Sequence, residues 1–445
     1  MPTTQTILSW LLYAVPLVLA YAYYLRGRAR RETEHRQELE TSVADGLMEP
    51  PSLHPVIDPV KCIGSSTCAK VCPEGAIGII GGKATLINGS ACIGHGACKD
   101  ACPFDAIKLV FGTERRGIDI PQVKPDFETN VPGIFIAGEL GGMGLISKAA
   151  EQGRRAMESI ARRCGDDRRG GAAAGAAVPH DVVIIGSGPA GLGAGLAAID
   201  AKLRYLMIEQ ETNLGGAIFH YPRNKIAMTS PVVLPIIGRM KLDRVSKESL
   251  LDFWQAAIDK SGLQIRFNER MERVDPIDGG FVVRTSAGEH RARTVLLAIG
   301  RRGTPRKLDV PGEESAKVVY RLIDPAQYAK QRVLVVGGGD SALEAAIALA
   351  EQPGTKVTLS YRGESFNRVK QANRQRLQSL AKARRLRLAM QSTIASIRAD
   401  DVLLQTQEGA RRLRNDAVIV CAGGVLPTPL LRDMGVLFET KRGEA

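Results

Sequence analysis

The sequence predicts an α/β protein: two doubly wound dinucleotide-binding units, a small α+β cysteine-rich unit and one apolar N-terminal helix. Three observations carry this. DVVIIGSGPAGLGAGLAAI, from Asp181, and RVLVVGGGDSALEAAIALA, from Arg332, each run from an apolar strand through a glycine turn into an Ala-rich helix. Six of the eight cysteines fall between Cys62 and Cys102 in two copies of one pattern. Ile7 to Leu25 is an uncharged stretch.

The 445 residues allow about three domains at ~150 residues each. Abundant glycine, 47 residues, suits tight nucleotide-binding turns, and 5% aromatics leave little for a surface that stacks single-stranded nucleic acid. A net charge of +13 permits nucleic-acid binding, but arginine is dispersed and no recognition module is visible, so no nucleic-acid partner is expected. The excess charge is assigned to membrane-flanking residues, phosphate ligands and solvated faces.

Residues 1–27 are expected to be a membrane anchor. At ~1.5 Å per residue the uncharged stretch approaches the ~30 Å hydrocarbon core. Tyr21, Tyr23 and Tyr24 lie at one end, and Arg26, Arg28, Arg30 and Arg31 follow directly. A signal peptide carries its positive charge before the apolar run. Here the charge comes after it, and the positive-inside rule puts the later domains in the cytoplasm, below a single span of the inner membrane. Residues 28–54, charged and then Pro-rich without a clear apolar face, read as a tether.

Residues 55–111 hold CIGSSTCAKVCPEGAI and CIGHGACKDACPFDAI. Cys62, Cys68 and Cys72 recur thirty residues on as Cys92, Cys98 and Cys102. Paired thiolates at this spacing in a reducing compartment favour metal over disulfides, and no four-ligand zinc-finger spacing is present. Short strands are expected at Ile77 to Ile80 and Ile107 to Phe111.

The segment resembles a bacterial dicluster ferredoxin, in which the last cysteine of each run serves the other cluster. Carried over, the resemblance implies one set of Cys62, Cys68 and Cys102 and another of Cys92, Cys98 and Cys72. Ser65 and His95 stand where each run lacks its remaining cysteine. Three thiolates suit a three-iron cluster and imidazole at His95 could complete a four-iron one, so 3Fe-4S and 4Fe-4S both stay open.

Residues 112–163 resemble the closing stretch of thioredoxin-reductase-like flavoproteins, where a strand ends in Gly-Asp beside the flavin. Here the strand is Ile134 to Ala137 and the pair is Gly138-Glu139, one methylene longer. In the resembled family this stretch comes last. Residues 164–179 are a Gly/Ala-rich linker holding Cys164.

In the unit 180–311, Gly186 permits the turn, Gly188 lets backbone approach a pyrophosphate, Pro189 opens the helix and Gly191 lets helix and strand pack closely. Glu209 closes the second strand, suited to a ribose diol, and Gly215-Gly216 continues the flavoprotein pattern. In the unit 312–426, Gly337 and Gly339 form the second turn, with Asp340 and Ser341 opening its helix. The next strand ends in Arg362, with Arg368 six residues on; cations there suit a 2′-phosphate, hence NADPH over NADH. Cys421, in an apolar run, reads as a core thiol.

VSKESLLDFW and GEESAKVVYRLIDPAQY are similar to the bacillithiol-disulfide-reductase-like branch of that superfamily, which implies Rossmann-like FAD and NAD(P)H domains. Joining the tail, 427–445, to Gly117 would restore the family's order, so a circular permutation is expected. Thioredoxin reductases proper carry a CxxC pair in the nucleotide domain, absent here. The expected function is exchange of electrons between NADPH, FAD and two iron-sulfur clusters, to or from a redox protein or quinone, with the cofactors supplying the chemistry. The competing functions are a low-molecular-weight disulfide reductase with an auxiliary ferredoxin, and a membrane-tethered redox sensor. Related flavoproteins are often dimers, which admits a homodimer.

Overall fold

A computed structural model of the chain describes residues 4–50, 53–142, 144–169, 178–221, 223, 225–242, 244–301, 303–366 and 369–443. They divide into two compact units, one of residues 1–116 with 442–445 and one of residues 117–441.

The first unit is built on two short antiparallel pairs. His54–Ile57 pairs with Ile107–Val110, and Ile77–Ile80 forms a hairpin with Lys83–Leu86. The strands expected after each cysteine run are present. Each run bends into a one-turn helix, Thr67–Val71 or Ala97–Asp100.

One expectation for the N-terminus needs correction. The segment 28–54 is not a tether: one helix, Thr4–Ala44, continues through most of it. That helix packs on the hairpin through polar side chains. His35 Nδ1 lies 3.0 Å from the Ile79 amide and 3.2 Å from its carbonyl oxygen. Glu32 accepts from the Gly81 amide at 2.9 Å, and Glu38 from Asn88 at 3.0 Å. Leu47, just past the helix, is 1% exposed. The expected membrane anchor lies partly outside the described side chains. Among the described residues no helix is long and apolar enough to cross a membrane. Arg26 and the charges beyond it interrupt the apolar run, and side chains 7–11 of the expected span lie outside the described residues.

The second unit is organised around two larger sheets, with smaller antiparallel ones beside them. In the first, the strands run in the order Met271–Ile277, Gly280–Thr285, Gly288–Leu297, His180–Ile185 and Tyr205–Ile208. Ile134–Ile136 adds in parallel to the end of Gly288–Leu297. The second sheet is wholly parallel, in the order Val318–Val319, Ala417–Val420, Arg332–Val336, Lys356–Ser360 and Leu386–Ala389. The Val/Ile runs of the central strands are buried on both faces, as a parallel sheet covered by helices requires.

The helix Ile146–Arg169 lies on the first glycine-turn helix, Pro189–Asp200. Contact is nearly backbone to backbone: a Cβ on Gly153 would run into the Ala190 carbonyl, and one on Gly193 into that of Ala150. This helix passes the expected start of the linker at 164, so Cys164 is a core residue, 1% exposed, rather than a linker thiol. Residues 170–177 of the expected linker lie outside the described residues. The tail strand Phe438–Lys441 pairs antiparallel with Ile118–Pro121.

Candidate functional site

In the first unit the cysteines of the two runs lie near one another across the repeat. The charges of Cys62 and Cys102 bear on Cys68, and those of Cys92, Cys72 and Cys68 on Cys98. Burial raises the Cys68 and Cys92 thiols, with neighbouring cysteines adding to it. Cys98 is pushed up to about 12, by burial first and the nearby Cys92 next. Thiols gathered in this way ionise only if positive charge is supplied among them. Backbone amides already face the sulfurs: Ala84 donates to Cys62 Sγ at 3.3 Å and Ala106 to Cys102 Sγ at 3.4 Å.

Among the described residues no group of three or more His, Cys, Asp or Glu side chains is placed to hold a single metal ion. Thiolates around one zinc ion stand roughly 4 Å apart at Zn–S ~2.3 Å. An iron-sulfur cluster spreads its thiolates over several irons, and Cys72, Cys92 and Cys98 around one cavity, with amides aimed at the Cys62 and Cys102 sulfurs, fit that group.

The two gaps in the ligand pattern differ. Ser65 is exposed, and its hydroxyl is 3.0 Å from that of Thr67. His95 is half-buried and lines a cavity with Cys72, Cys92 and Cys98.

In the second unit, the turn after His180–Ile185 holds Gly186 at φ +105°, where a Cβ would stand 2.6 Å from the Ala298 carbonyl oxygen. Gly188 caps the helix and Pro189 opens it, leaving the first amides of the helix available to an anion. A Cβ on Gly191 would run into the Gly186 carbonyl. Glu209 is 5% exposed. Its carboxylate accepts from the Ser187 amide at 2.6 Å, the Ser187 hydroxyl at 2.8 Å and the Glu211 amide at 3.0 Å. Gly215 donates to the Ser187 carbonyl at 3.0 Å, and a Cβ on Gly216 would be 3.1 Å from Gly188 Cα. Gly138 reaches the same place from far back in the chain: a Cβ there would stand 2.9 Å from Ala190 Cβ, and its amide donates to Gln152 at 2.8 Å. Glu139, beside it, is exposed. A glycine cradle at a helix N-terminus with a buried carboxylate at the next strand end fits the pyrophosphate and ribose of FAD.

The second glycine turn opens on a cavity of about 1300 Å³. Gly337, Gly339, Asp340, Ser341 and Arg362 line it. Asp340 Oδ1 accepts from the Lys370 amide and from Asn373 Nδ2, each at 2.8 Å, which fixes the start of the helix Asp340–Ala350. Arg368 lies outside the described residues. Cys421 also lines the cavity and is half-buried, packed at the edge of the second sheet's core rather than fully inside it. The cavity wall includes Lys225, which pairs with Glu344 at 3.0 Å, and His220, whose Nδ1 lies 2.6 Å from Arg321. Nothing in the sequence pattern marked these residues. Their only signal is a clustering of His and basic residues at 220–225, outside either glycine motif.

Both regions of the chain are similar to known proteins. Residues 183–444 match the family model described as pyridine nucleotide-disulphide oxidoreductase, and residues 54–103 match that of the 4Fe-4S dicluster domain. A ferredoxin–NADP reductase of Levilactobacillus brevis is 33% identical over 192 residues, which is 42% of this chain and 55% of that protein. A thioredoxin reductase of Mycolicibacterium smegmatis is 34% identical over 204 residues, 43% of this chain and 58% of that one. The chain thus spans little more than half the length of these curated relatives. A bacillithiol disulfide reductase of Bacillus cereus aligns with a TM-score of 0.50 at 24% identity, over 58% of this chain and 82% of that structure, which shows a shared fold.

Proposed function

The chain belongs to the pyridine nucleotide-disulphide oxidoreductase family, and from that premise we propose that it exchanges electrons between NADPH, FAD and two iron-sulfur clusters held in its own first unit. The observation that carries this reading is the presence in one chain of two glycine-turn sites and a pair of three-cysteine runs whose thiols are buried or half-buried near one another. FAD accepts a hydride and can pass electrons on singly, which matches the capacity of clusters. The chain's own residues bind and orient. Gly186, Gly188 and Glu209 would hold FAD, Gly337 and Gly339 the NADPH pyrophosphate, and Arg362 its 2′-phosphate. Cys62, Cys68 and Cys102 would hold one cluster, and Cys72, Cys92, Cys98 and His95 the other. The partner is a one-electron protein or a quinone, and net direction follows its potential.

Two further parts belong to the proposal. The chain order is a circular permutation, supported by the pairing of Ile118–Pro121 with the tail and by the approach of Gly138 to Ala190. A single-pass N-terminal anchor in the inner membrane, with the later domains in the cytoplasm, is supported by residues 12–25, which carry no charge and are largely exposed before the first arginines. Extraction of membranes with alkaline carbonate tests it: release of the full-length chain into the supernatant would remove the anchor.

Anaerobic NADPH titration of the purified protein, followed by EPR and flavin absorbance, tests the core reading. The expected result is flavin bleaching together with reduced-cluster signals, the latter lost in a Cys62/Cys68/Cys72 triple alanine variant. Turnover of a low-molecular-weight disulfide with no cluster reduction would replace electron exchange by disulfide reduction. Among the described cysteines of the second unit, Cys164 is buried and Cys421 lines the nucleotide cavity, and the two form no CxxC pair.

A further inference from the structure

The glycine turn of the second nucleotide site has one glycine more than its fingerprint requires. Gly337 makes the tight turn, and Gly339 lets the backbone approach phosphate. Gly338, between them, has no positive φ, so its backbone does not call for glycine. The reason is Tyr361. A Cβ on Gly338 would run into Cδ2, Cε2 and Cζ of the Tyr361 ring. On the far side of the ring a Cβ on Gly363 would stand 2.6 Å from Cε1, 2.8 Å from Cζ and 3.0 Å from the hydroxyl. Gly363 also lacks a positive φ. Both glycines are therefore explained by the ring lying against them.

Other contacts fix the ring's orientation. Phe366, 7% exposed, stacks on it with centroids 5.3 Å apart and planes 16° from parallel. The Tyr361 amide donates to the Ala389 carbonyl at 2.9 Å, and its carbonyl accepts from the Ser392 amide at 3.0 Å. Tyr361 lines the nucleotide cavity, and the next residue is Arg362. The ring thus lies between the Gly338 turn and Gly363, beside the strand end that carries Arg362.

We propose that Tyr361 is a positioning residue for NADPH selectivity: wedged between Gly338 and Gly363, its ring sets the separation between the pyrophosphate turn and Arg362, and so places Arg362 at the adenosine 2′-phosphate. This rests on the reading of the cavity as an NADPH site. It goes beyond that reading, because Tyr361 need not touch the nucleotide. Aromatic volume is what matters, and the hydroxyl is dispensable.

The test is a double-mutant cycle on the full-length, FAD-loaded protein. Affinities for 2′,5′-ADP and for 5′-ADP are measured by calorimetry, and KM for NADPH and NADH by flavin reduction. Tyr361→Ala should weaken 2′,5′-ADP by about tenfold and 5′-ADP by about twofold or less, raising KM for NADPH without lowering kcat. Tyr361→Phe should restore the wild-type values. Gly338→Ala alone should weaken 2′,5′-ADP comparably by colliding with the ring, and should add nothing in the Tyr361→Ala background, since the obstacle is gone. Equal losses for both ligands, or additive effects of the two substitutions, would overturn the wedge. Absence of 2′,5′-ADP binding to the wild-type protein would instead overturn the NADPH reading beneath it.

Discussion

At the scale of single residues, His95 and Ser65 divide the ferredoxin-like unit into two unequal halves. The repeat places both at the same point of their runs, so the cysteine spacing alone gave them equal standing. Burial separates them: His95 lines the cavity with three thiols, whereas Ser65 is exposed beside Thr67. An imidazole that ligates iron leaves a magnetic signature on its nitrogen. Pulsed EPR of the reduced protein is therefore expected to show strong ¹⁴N coupling at one cluster, replaced by ¹⁵N coupling when the histidines are labelled and lost in His95→Ala. Ser65→Ala is expected to leave that spectrum as it was. A nitrogen signal that survives His95→Ala would remove His95 from the ligand set. Cys164 and Cys421 show the same limit on the sequence. An apolar neighbourhood predicted a core thiol at 421 and a Gly/Ala-rich one a linker thiol at 164. Cys164 is fully buried and Cys421 only half-buried at the edge of its core, because burial depends on what the fold brings against a residue rather than on its neighbours in sequence.

At the scale of elements, the nucleotide-binding strands were legible because Val/Ile runs ending in glycine turns have few alternatives. The helix Thr4–Ala44 was not legible beyond Arg28, since it docks by hydrogen bonds instead of an apolar stripe. Glu32, His35 and Glu38 recur at three-residue spacing, one face of a helix, and that polar periodicity was the available signal. The helix Ile146–Arg169 is held differently, by close backbone approach to the helix that carries the first glycine turn. Gly153→Leu should therefore act on FAD as well as on stability. Forcing a side chain against the Ala190 carbonyl costs about 1–3 kcal/mol or more, and ~2–4 °C of Tm is lost per kcal/mol in a domain of 150–250 residues. The expected outcome is a fall in Tm of several degrees with substoichiometric FAD on purification. Arg162→Leu, on the exposed face of the same helix, should change neither. Full FAD content in Gly153→Leu would mean that this packing does not govern the turn.

At the scale of the whole second unit, chain order and spatial order disagree. Ile134–Ile136 and Ile146–Arg169 precede the strand His180–Ile185 in sequence, yet one joins its sheet through Gly288–Leu297 and the other covers the helix that follows it. The tail strand Phe438–Lys441 ends beside Ile118–Pro121, so the two points that a permutation would join are already neighbours. Packing and hydrogen bonding depend on where elements lie, and connectivity changes only the entropy of closing loops, which grows slowly with loop length. A chain reordered as residues 180–441, a short Gly/Ser linker and residues 117–169 should therefore fold into the same unit, since circular permutants succeed where termini are close and exposed. It is expected to bind FAD at one per chain and 2′,5′-ADP within about threefold of the parent affinity, without either iron-sulfur site. Failure to bind FAD by a soluble, monodisperse reordered chain would show that the native order does more than connect these elements, and the permutation reading would fall with it.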